Sequence, residues 1–371
     1  MSLEEEDSSN ELSPAAVPEA TGGIRATIER VGIALTAILA VGMLAFILLD
    51  WLRTTPGALG ETAAILFRGS LGIGAWLDGV LGTNVFQHPF TWRAIATGVL
   101  VGVVGPLVGT YLVHRQMALI GETLAHTAFA GVAFGMLFLA FAGGMLVGPI
   151  GNRGALLIVA LIVSVLGALG LQWLTDRTDS YGDVPIAIVL TGSFAVGTLV
   201  ISWSRDFVSL AIDIEDFLFG SLAIVTVEGA RIVAVLSVAI TALVVYNYKQ
   251  FLFITFDEQA AKAARFNVDF YNALLIVMTA VVVVGAMQIL GVILVAGLLV
   301  IPVAAASQVA NSFRETLYLS ILCGQLSVLG GLAIAIGAGL PPGGSIIVIA
   351  IGFYLLAIFL SDRSVGGLSL H

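Results

Sequence analysis

A glutamate and a histidine, Glu122 and His126, stand four residues apart at the start of a long apolar stretch. On a helix, side chains at positions i and i+4 lie on the same face. A carboxylate and an imidazole one turn apart offer the O and N ligands that Zn²⁺ and Mn²⁺ accept. Two ligands are too few for a storage site, so the pair would form part of a transient metal station that water, another segment or a partner subunit completes. A hydrogen-bonded Glu–His pair that helps to hold neighbouring helices together explains the same spacing equally well.

A second group of carboxylates interrupts the apolar pattern between Phe207 and Val227. Asp213 and Asp216, with Glu215 between them, would each cost roughly 2.5 to 3.5 kcal/mol at the centre of a membrane. The segment is therefore predicted to be re-entrant or interfacial, entering and leaving on one face. Its carboxylates would attract cations to the entrance of a pathway, although an acidic outer loop accounts for them as well.

The two lysines of the chain, Lys249 and Lys262, both lie between two apolar stretches. An Ala-rich segment there opens with Asp257 and Glu258 and closes with Arg265, a charge order that the helix dipole favours. The pattern predicts a charged cytoplasmic helix, either a solvated loop helix or a docking helix for another protein. A phosphate-binding P-loop needs a Gly-Lys pair, and neither lysine follows a glycine. The chain therefore cannot be an ATPase by that route, and any ATP-driven motor would be a separate subunit.

These polar groups stand out because the rest of the chain is apolar. Of 371 residues, 59% are hydrophobic and 11% charged, with a mean hydropathy of +1.07, whereas soluble domains are about 45–50% apolar and about 25% charged. This composition excludes ordinary soluble enzymes, disordered proteins and most nucleic-acid binders. The single cysteine, Cys323, excludes an intramolecular disulfide and a thiolate metal cluster. Much of the net charge of −9 lies in residues 1–30, which are predicted to form a disordered tail.

Apolar intervals of about 20 residues predict ten membrane-spanning helices. Two long intervals, 270–313 and 316–361, fit two helices each, and six shorter intervals fit one helix each. The polar-interrupted segment Leu59–Leu81 is predicted to be an amphipathic helix on the membrane surface, and His114, beside Arg115 at the end of the second span, to meet lipid headgroups or water. The protein would be a multi-pass plasma-membrane protein with both termini in the cytoplasm. The six single intervals are Val31–Leu49, Ile95–Val113, Leu124–Leu146, Ala155–Leu174, Val184–Ser204 and Ile232–Tyr248.

Several motifs, in their order and spacing, resemble the membrane permease subunits of zinc and manganese ABC importers. The resemblance covers about Pro89 to Leu360. Two departures are that Glu122 stands where the family usually has Asp in Gly-Asp-x-x-Ser-His, and Arg265 where Gly commonly ends the coupling helix. The motifs are Phe90-Thr91-Trp92-Arg93-Ala94, Gly109 through Met117 leading into Gly121-Glu122-Thr123-Leu124-Ala125-His126, Leu218-Phe219-Gly220, Phe256-Asp257 with the Ala-rich helix, and Leu299-Val300-Ile301-Pro302 with Ala304 to Ala306.

The resemblance implies an all-α integral membrane fold like that of cobalamin and siderophore permeases, with about ten transmembrane helices and a short outer-face helix. Such permeases form homodimers, take metal from an external binding protein and dock two ATPase subunits, which bind the ATP. Residues 249–269 would be the coupling loop, and Glu122 and His126 would contact the transported ion without any permanently bound cofactor. The resemblance also implies roles for two further sets of residues, which are Asp257, Glu258, Lys262 and Arg265 at the ATPase surface and Leu218, Phe219 and Gly220 near the translocation path.

The expected function is inward movement of Zn²⁺ or Mn²⁺ by alternating access, in a lipid membrane and without a nucleic-acid partner. A permease of the same architecture for a metal chelate, such as a siderophore or cobalamin, is the nearest alternative, and the Glu–His pair favours the bare ion. An ion-gradient carrier would need charged groups distributed across several spans, and charge is largely excluded from them. The expected organisation is an acidic cytoplasmic tail at 1–30, an extra span with an amphipathic outer segment at 31–87, a metal permease domain at 88–362 and a short tail at 363–371.

Overall fold

A computed structural model describes residues 19–141, 151–177, 184–204, 218–220 and 225–361. Within these residues the chain forms thirteen α-helices of six residues or longer, and no strand. The predicted all-α class is confirmed. In chain order the helices are α1 (Glu19–Leu52), α2 (Ala58–Leu81), α3 (Pro89–His114), α4 (Ala118–Phe141), α5 (Gly151–Arg177), α6 (Val184–Ser204), α7 (Val227–Tyr246), α8 (Tyr248–Phe256), α9 (Glu258–Ala263), α10 (Val268–Leu290), α11 (Val295–Val309), α12 (Phe313–Ala338) and α13 (Pro342–Leu360).

Nine of the described helices are long and apolar enough to cross a membrane. The tenth predicted span, in the second half of the 270–313 interval, contains only α11, which has 15 residues. At 1.5 Å per residue such a helix is about 22 Å long, shorter than the roughly 30 Å hydrocarbon core. The shortness of α11 has its origin at Gly291, whose φ of 74° ends α10. Residues 291–294 then form a turn, so α11 begins only at Val295. Nine long helices and this shorter one therefore correspond to the ten predicted spans.

Helix α1 begins at Glu19, inside the segment predicted to be disordered. Residues 19–30 are helical, so the predicted boundary at residue 30 is not a helix boundary. Composition alone does not predict this extension of α1 into the polar segment. Once a helix has formed, each added residue gains a hydrogen bond without a new nucleation cost, so polar residues can continue it. The apolar part of α1, Arg30–Leu52, is the first of the nine candidate spans.

Helix α3 lies at the centre of the bundle, and 94% of its most apolar window is buried. It packs against α1, α7, α10, α11 and α12. A Cβ atom on Gly109 would overlap with the carbonyl oxygen of Leu299 on α11, and one on Gly102 would lie 3.1 Å from the oxygen of Gly324 on α12. Small residues allow this close approach of membrane helices.

Helix α4 packs mainly against α5 and α6, and α10 and α11 join this group to α3. Leu124 and Ala125 on α4 are fully buried. The hydroxyl of Ser164 on α5 donates to the carbonyl oxygen of Leu124 at 3.3 Å. The helix that carries Glu122 and His126 is therefore fixed by its neighbours along most of its length.

Candidate functional site

Glu122 and His126 lie one turn apart on α4, as their spacing predicts. Glu122 is exposed and His126 is half-buried. The His126 ring faces α6, where its centroid lies 5.0 Å from that of Phe194. The Nδ1 atom of His126 is buried and has no hydrogen-bond partner among the described residues. Imidazole nitrogens are common metal ligands.

The described ranges bring together no group of three or more His, Cys, Asp or Glu side chains that could hold a metal ion. Glu122 and His126 are two potential ligands on one face of α4, and their role as a metal station stays a prediction. Asp213 and Asp216, the predicted cation-attracting carboxylates, lie outside the described residues.

The short segment Leu218–Gly220 lies against the break between α10 and α11. The backbone N–H of Ile293 donates to the carbonyl oxygen of Leu218 at 3.3 Å. Gly220 and Gly291 both have positive φ angles, of 75° and 74°, and a Cβ on Gly220 would overlap with the carbonyl oxygen of Ile289. Only glycine fits this backbone conformation and this distance without strain.

The N-terminus of α13 joins the same contact. A Cβ on Gly343 would overlap with the carbonyl oxygen of Leu290 and would lie 2.8 Å from that of Phe219. The Phe219 side chain itself is 46% exposed. We name this backbone contact among residues 218–220, 289–291 and 343 the glycine junction. The sequence showed the glycines but not which of them meet.

The predicted charged helix between the two lysines is present as α9 and is shorter than its charge pattern suggested. The Asp257 carboxylate caps it by accepting from the backbone N–H of Ala260 at 2.7 Å. Asp257 is exposed, and Lys262 keeps 58% of its side chain exposed. Ala261, on the opposite side of α9, is fully buried. Helix α9 therefore rests on the bundle through Ala261, while Asp257 and Lys262 face outward.

Glu258 connects α9 to the end of α3. Its carboxylate accepts from Lys262 at 2.8 Å and from Arg115 at 3.3 Å. The Lys262 contact lowers the pKa of Glu258 and raises that of Lys262. The Arg115 side chain is only 8% exposed and that of Glu258 is 41% exposed, so the ion pair lies at the edge of the protein.

Arg265 ends α9 in the left-handed conformation, with a φ of 61°. The backbone N–H of Arg265 donates to the carbonyl oxygen of Lys262, and that of Phe266 to the carbonyl oxygen of Ala261, both at 3.0 Å. These two bonds form a Schellman motif, in which glycine usually occupies the left-handed position. The arginine thus adopts the backbone conformation that the glycine of related sequences would adopt, while its side chain is exposed.

His114, predicted to meet lipid headgroups or water, is half-buried, and its neighbour Arg115 is mostly buried. Arg115 binds Glu258, and the His114 ring packs 5.0 Å from that of Phe313 and 6.3 Å from that of Phe256, centroid to centroid. A chain position at the end of a span does not reveal a partner from a loop that lies more than 140 residues later. We call the ion pair between Glu258 on α9 and Arg115 at the end of α3 the charged junction.

Comparison with known proteins identifies relatives over most of the chain. Residues 87–361 match the ABC 3 transport family. The manganese transport system membrane protein MntC of Listeria monocytogenes is 26% identical, over 76% of this chain and 94% of that protein. The high-affinity zinc uptake system membrane protein ZnuB of Haemophilus influenzae is 23% identical, over 73% of this chain and 97% of that protein.

The chain also resembles a solved structure, PsaBC from Streptococcus pneumoniae in complex with Fab, with a TM-score of 0.64 and 29% sequence identity. The match covers 78% of this chain and 97% of the solved chain. The family match begins at residue 87, so α1 and α2 precede it, while α4, the glycine junction and α9 all fall within it. The chain therefore belongs to the ABC 3 transport family.

Proposed function

We propose that the protein is the membrane permease subunit of an ATP-driven importer that moves Mn²⁺ or Zn²⁺ into the cell. The observation that carries this proposal is the family match across residues 87–361, together with relatives named as manganese and zinc transport proteins. The matched region includes the Glu122–His126 face and the charged helix α9. The protein acts as a transporter subunit, and ATP is hydrolysed by a separate ATPase subunit.

Helix α9 would be the docking surface for that ATPase. Asp257, Lys262 and Arg265 are exposed while Ala261 is buried, so a partner can press on α9 without unfolding it. Displacement of α9 would reach Arg115 through Glu258. Because α4 begins three residues after Arg115, the same displacement would shift the turn that leads to Glu122. This route connects the motor to the proposed metal station through one ion pair.

Glu122 and His126 would contact the ion as it passes. One carboxylate and one imidazole bind a divalent transition metal weakly unless further ligands join them. A second copy of the chain, water or another segment would supply those ligands at one stage of transport and withdraw them at another. Weak, incomplete coordination allows the transported ion to dissociate again.

The remaining partners are proposed from the same family membership. Two copies of the chain would form the permease, with two ATPase subunits on the cytoplasmic side and a metal-binding protein outside. Asp213 and Asp216 would attract cations at the outer entrance, and Leu218, Phe219 and Gly220 would border the path beside the glycine junction. Both chain termini would then lie in the cytoplasm.

The metal station is tested by replacing Glu122→Gln and His126→Ala together in the permease reconstituted with its ATPase. Uptake of radioactive Mn²⁺ or Zn²⁺ should fall to the level of vesicles without ATP, while the ATPase still copurifies. The control is Glu61→Gln, which removes an exposed carboxylate on α2 and should leave uptake unchanged. An excess of siderophore-bound metal should not compete with the free ion. Normal uptake by the double variant would remove the pair from the mechanism.

The docking surface is tested by replacing Asp257→Ala and Lys262→Ala together. ATP hydrolysis should continue with little metal uptake, because α9 loses its cap, which typically contributes about 1 kcal/mol, and its exposed cation. The matched control is Gln259→Ala, an exposed position on the same helix. If the double variant transports as many ions per ATP as the control, α9 is not the coupling element.

A further inference from the structure

An apolar groove of about 620 Å³ lies between α1 and α7. Five aliphatic side chains from residues 41–48 and four from residues 234–239 line it. Its volume is within the range of small-molecule sites. Both helices are candidate membrane spans, so the groove lies at the depth of the hydrocarbon chains.

A tryptophan and an arginine line the groove at the end where α1 stops and α7 begins. The Arg231 guanidinium carbon lies 5.5 Å from the centroid of the Trp51 ring. Its Nη2 atom donates to the hydroxyl of Thr54 at 3.4 Å. The Nε atom of Arg231 is buried, and no described residue accepts a hydrogen bond from it. A guanidinium has five N–H donors, so Arg231 retains donors for a further acceptor.

We propose that this groove binds an anionic phospholipid, with the phosphate on Arg231 and one acyl chain between α1 and α7. The apolar walls match an acyl chain, and the single cation stands at one end of the groove, where a headgroup would lie. Arginine binds phosphate oxygens through paired N–H donors. Tryptophan is enriched at the membrane–water interface, at the level of the headgroups. On the predicted topology the lipid belongs to the outer leaflet.

Such a lipid would join two parts of the molecule that touch only lightly. In its most apolar window, α1 is 17% buried inside the protein, so most of its surface depends on the surrounding lipid. Near the same end of the groove, the Asp50 carboxylate accepts from Arg93 at 2.8 Å and thereby fixes α1 to α3. The lipid would complete this attachment by filling the space between α1 and α7.

Native mass spectrometry of the delipidated full chain, with phosphatidylglycerol or phosphatidylcholine of identical acyl chains added, tests the proposal. The wild type should bind phosphatidylglycerol about tenfold more tightly, a difference of about 1.4 kcal/mol. Arg231→Gln should bind both lipids equally. Ala239→Phe, which places a ring at an exposed position in the groove, should lose both. Ala45→Phe on the facing helix serves if that variant does not fold.

Arg177→Gln is the matched control, because Arg177 also lies over a tryptophan, Trp173, at 5.7 Å, but does not line the groove. It should keep the wild-type preference. Three results would overturn the proposal. The first is an unchanged lipid preference in Arg231→Gln. The second is displacement of phosphatidylglycerol by inorganic phosphate, which would indicate a site for a free anion. The third is that Ala239→Phe changes dimer formation but not lipid binding, which would assign the groove to a second copy of the chain.

Discussion

The glycine junction and the charged junction hold together the same bundle in different ways. At the glycine junction, the backbone of residues 218–220 lies directly on residues 289–291 and on Gly343, with no side chain between them. At the charged junction, the long side chains of Arg115 and Glu258 make the contact at 3.3 Å. A backbone contact cannot adjust to a displacement, whereas two long side chains can change rotamer and follow one. The difference indicates a rigid contact at the glycine junction and a more adjustable one at the charged junction.

The residues that adopt the left-handed conformation also differ between the two junctions. Gly220 and Gly291 occupy those of the glycine junction, while Arg265 and Gln116 end α9 and α3 near the charged junction. Glycine adopts the left-handed conformation freely, and other L-residues pay about 1–2 kcal/mol. The charged junction therefore lies between two strained helix ends, which makes local opening easier there.

The largest effect is expected at the glycine junction, from Gly343→Ala. Its new methyl group would overlap with the carbonyl oxygen of Leu290, and overpacking of this kind costs about 1–3 kcal/mol. Gly344→Ala is the matched control, because a Cβ there meets nothing within 4 Å and alanine favours the helix by up to about 1 kcal/mol. Thermal unfolding in detergent should show a lower midpoint for the first variant only. Equal midpoints would mean that the junction is not tightly packed.

A smaller effect, of opposite sign, is expected from Arg265→Gly. Glycine relieves the left-handed strain, so α9 should gain about 1 kcal/mol of local stability. Hydrogen exchange at the Phe266 amide, which closes the Schellman motif, measures this gain. Arg265→Ala removes the same charge and keeps the strain, so it should show no added protection. If alanine protects the amide as well as glycine does, charge rather than strain limits the stability of α9.

The smallest effect is the pH dependence of the charged junction. The hydrogen bond from Lys262 lowers the pKa of Glu258 below its ordinary value of 4.5. Its contribution to stability is therefore present above about pH 4.5 and is lost as the pH falls through the lowered pKa. Because the side chain is 41% exposed, the contribution should stay below about 1 kcal/mol.

The stabilisation by the Glu258 carboxylate is measured by comparing the unfolding free energy of the wild type with that of Glu258→Gln between pH 7 and pH 3. The difference between the two proteins should shrink toward low pH. Glu61→Gln, at an exposed glutamate on α2, controls for the loss of one carboxylate. A difference that stays constant across this range would show that the charge of Glu258 does not stabilise the junction.

Part of the candidate site could be predicted because it depends on short-range geometry. The spacing of Glu122 and His126 placed them on one helical face. The acids at the start of the charged segment predicted a helix that begins there, and the Asp257 cap confirms this start. The partner of Arg115 could not be predicted, because the contact with Glu258 joins residues 143 positions apart. The same limit applied to His114, whose ring packs against aromatic residues from two other helices.

By itself, the sequence determined the class of the protein, because about 20 apolar residues in a row satisfy their backbone hydrogen bonds within a membrane only as a helix or in a closed barrel. It also determined that the chain carries no P-loop lysine of its own. Only the tertiary structure decided that α11 has 15 residues, that three glycines meet beside Phe219, and that Arg231 stands at the end of a lipid-sized groove. These features depend on which helices become neighbours, and that choice follows from packing over the whole bundle rather than from any local pattern.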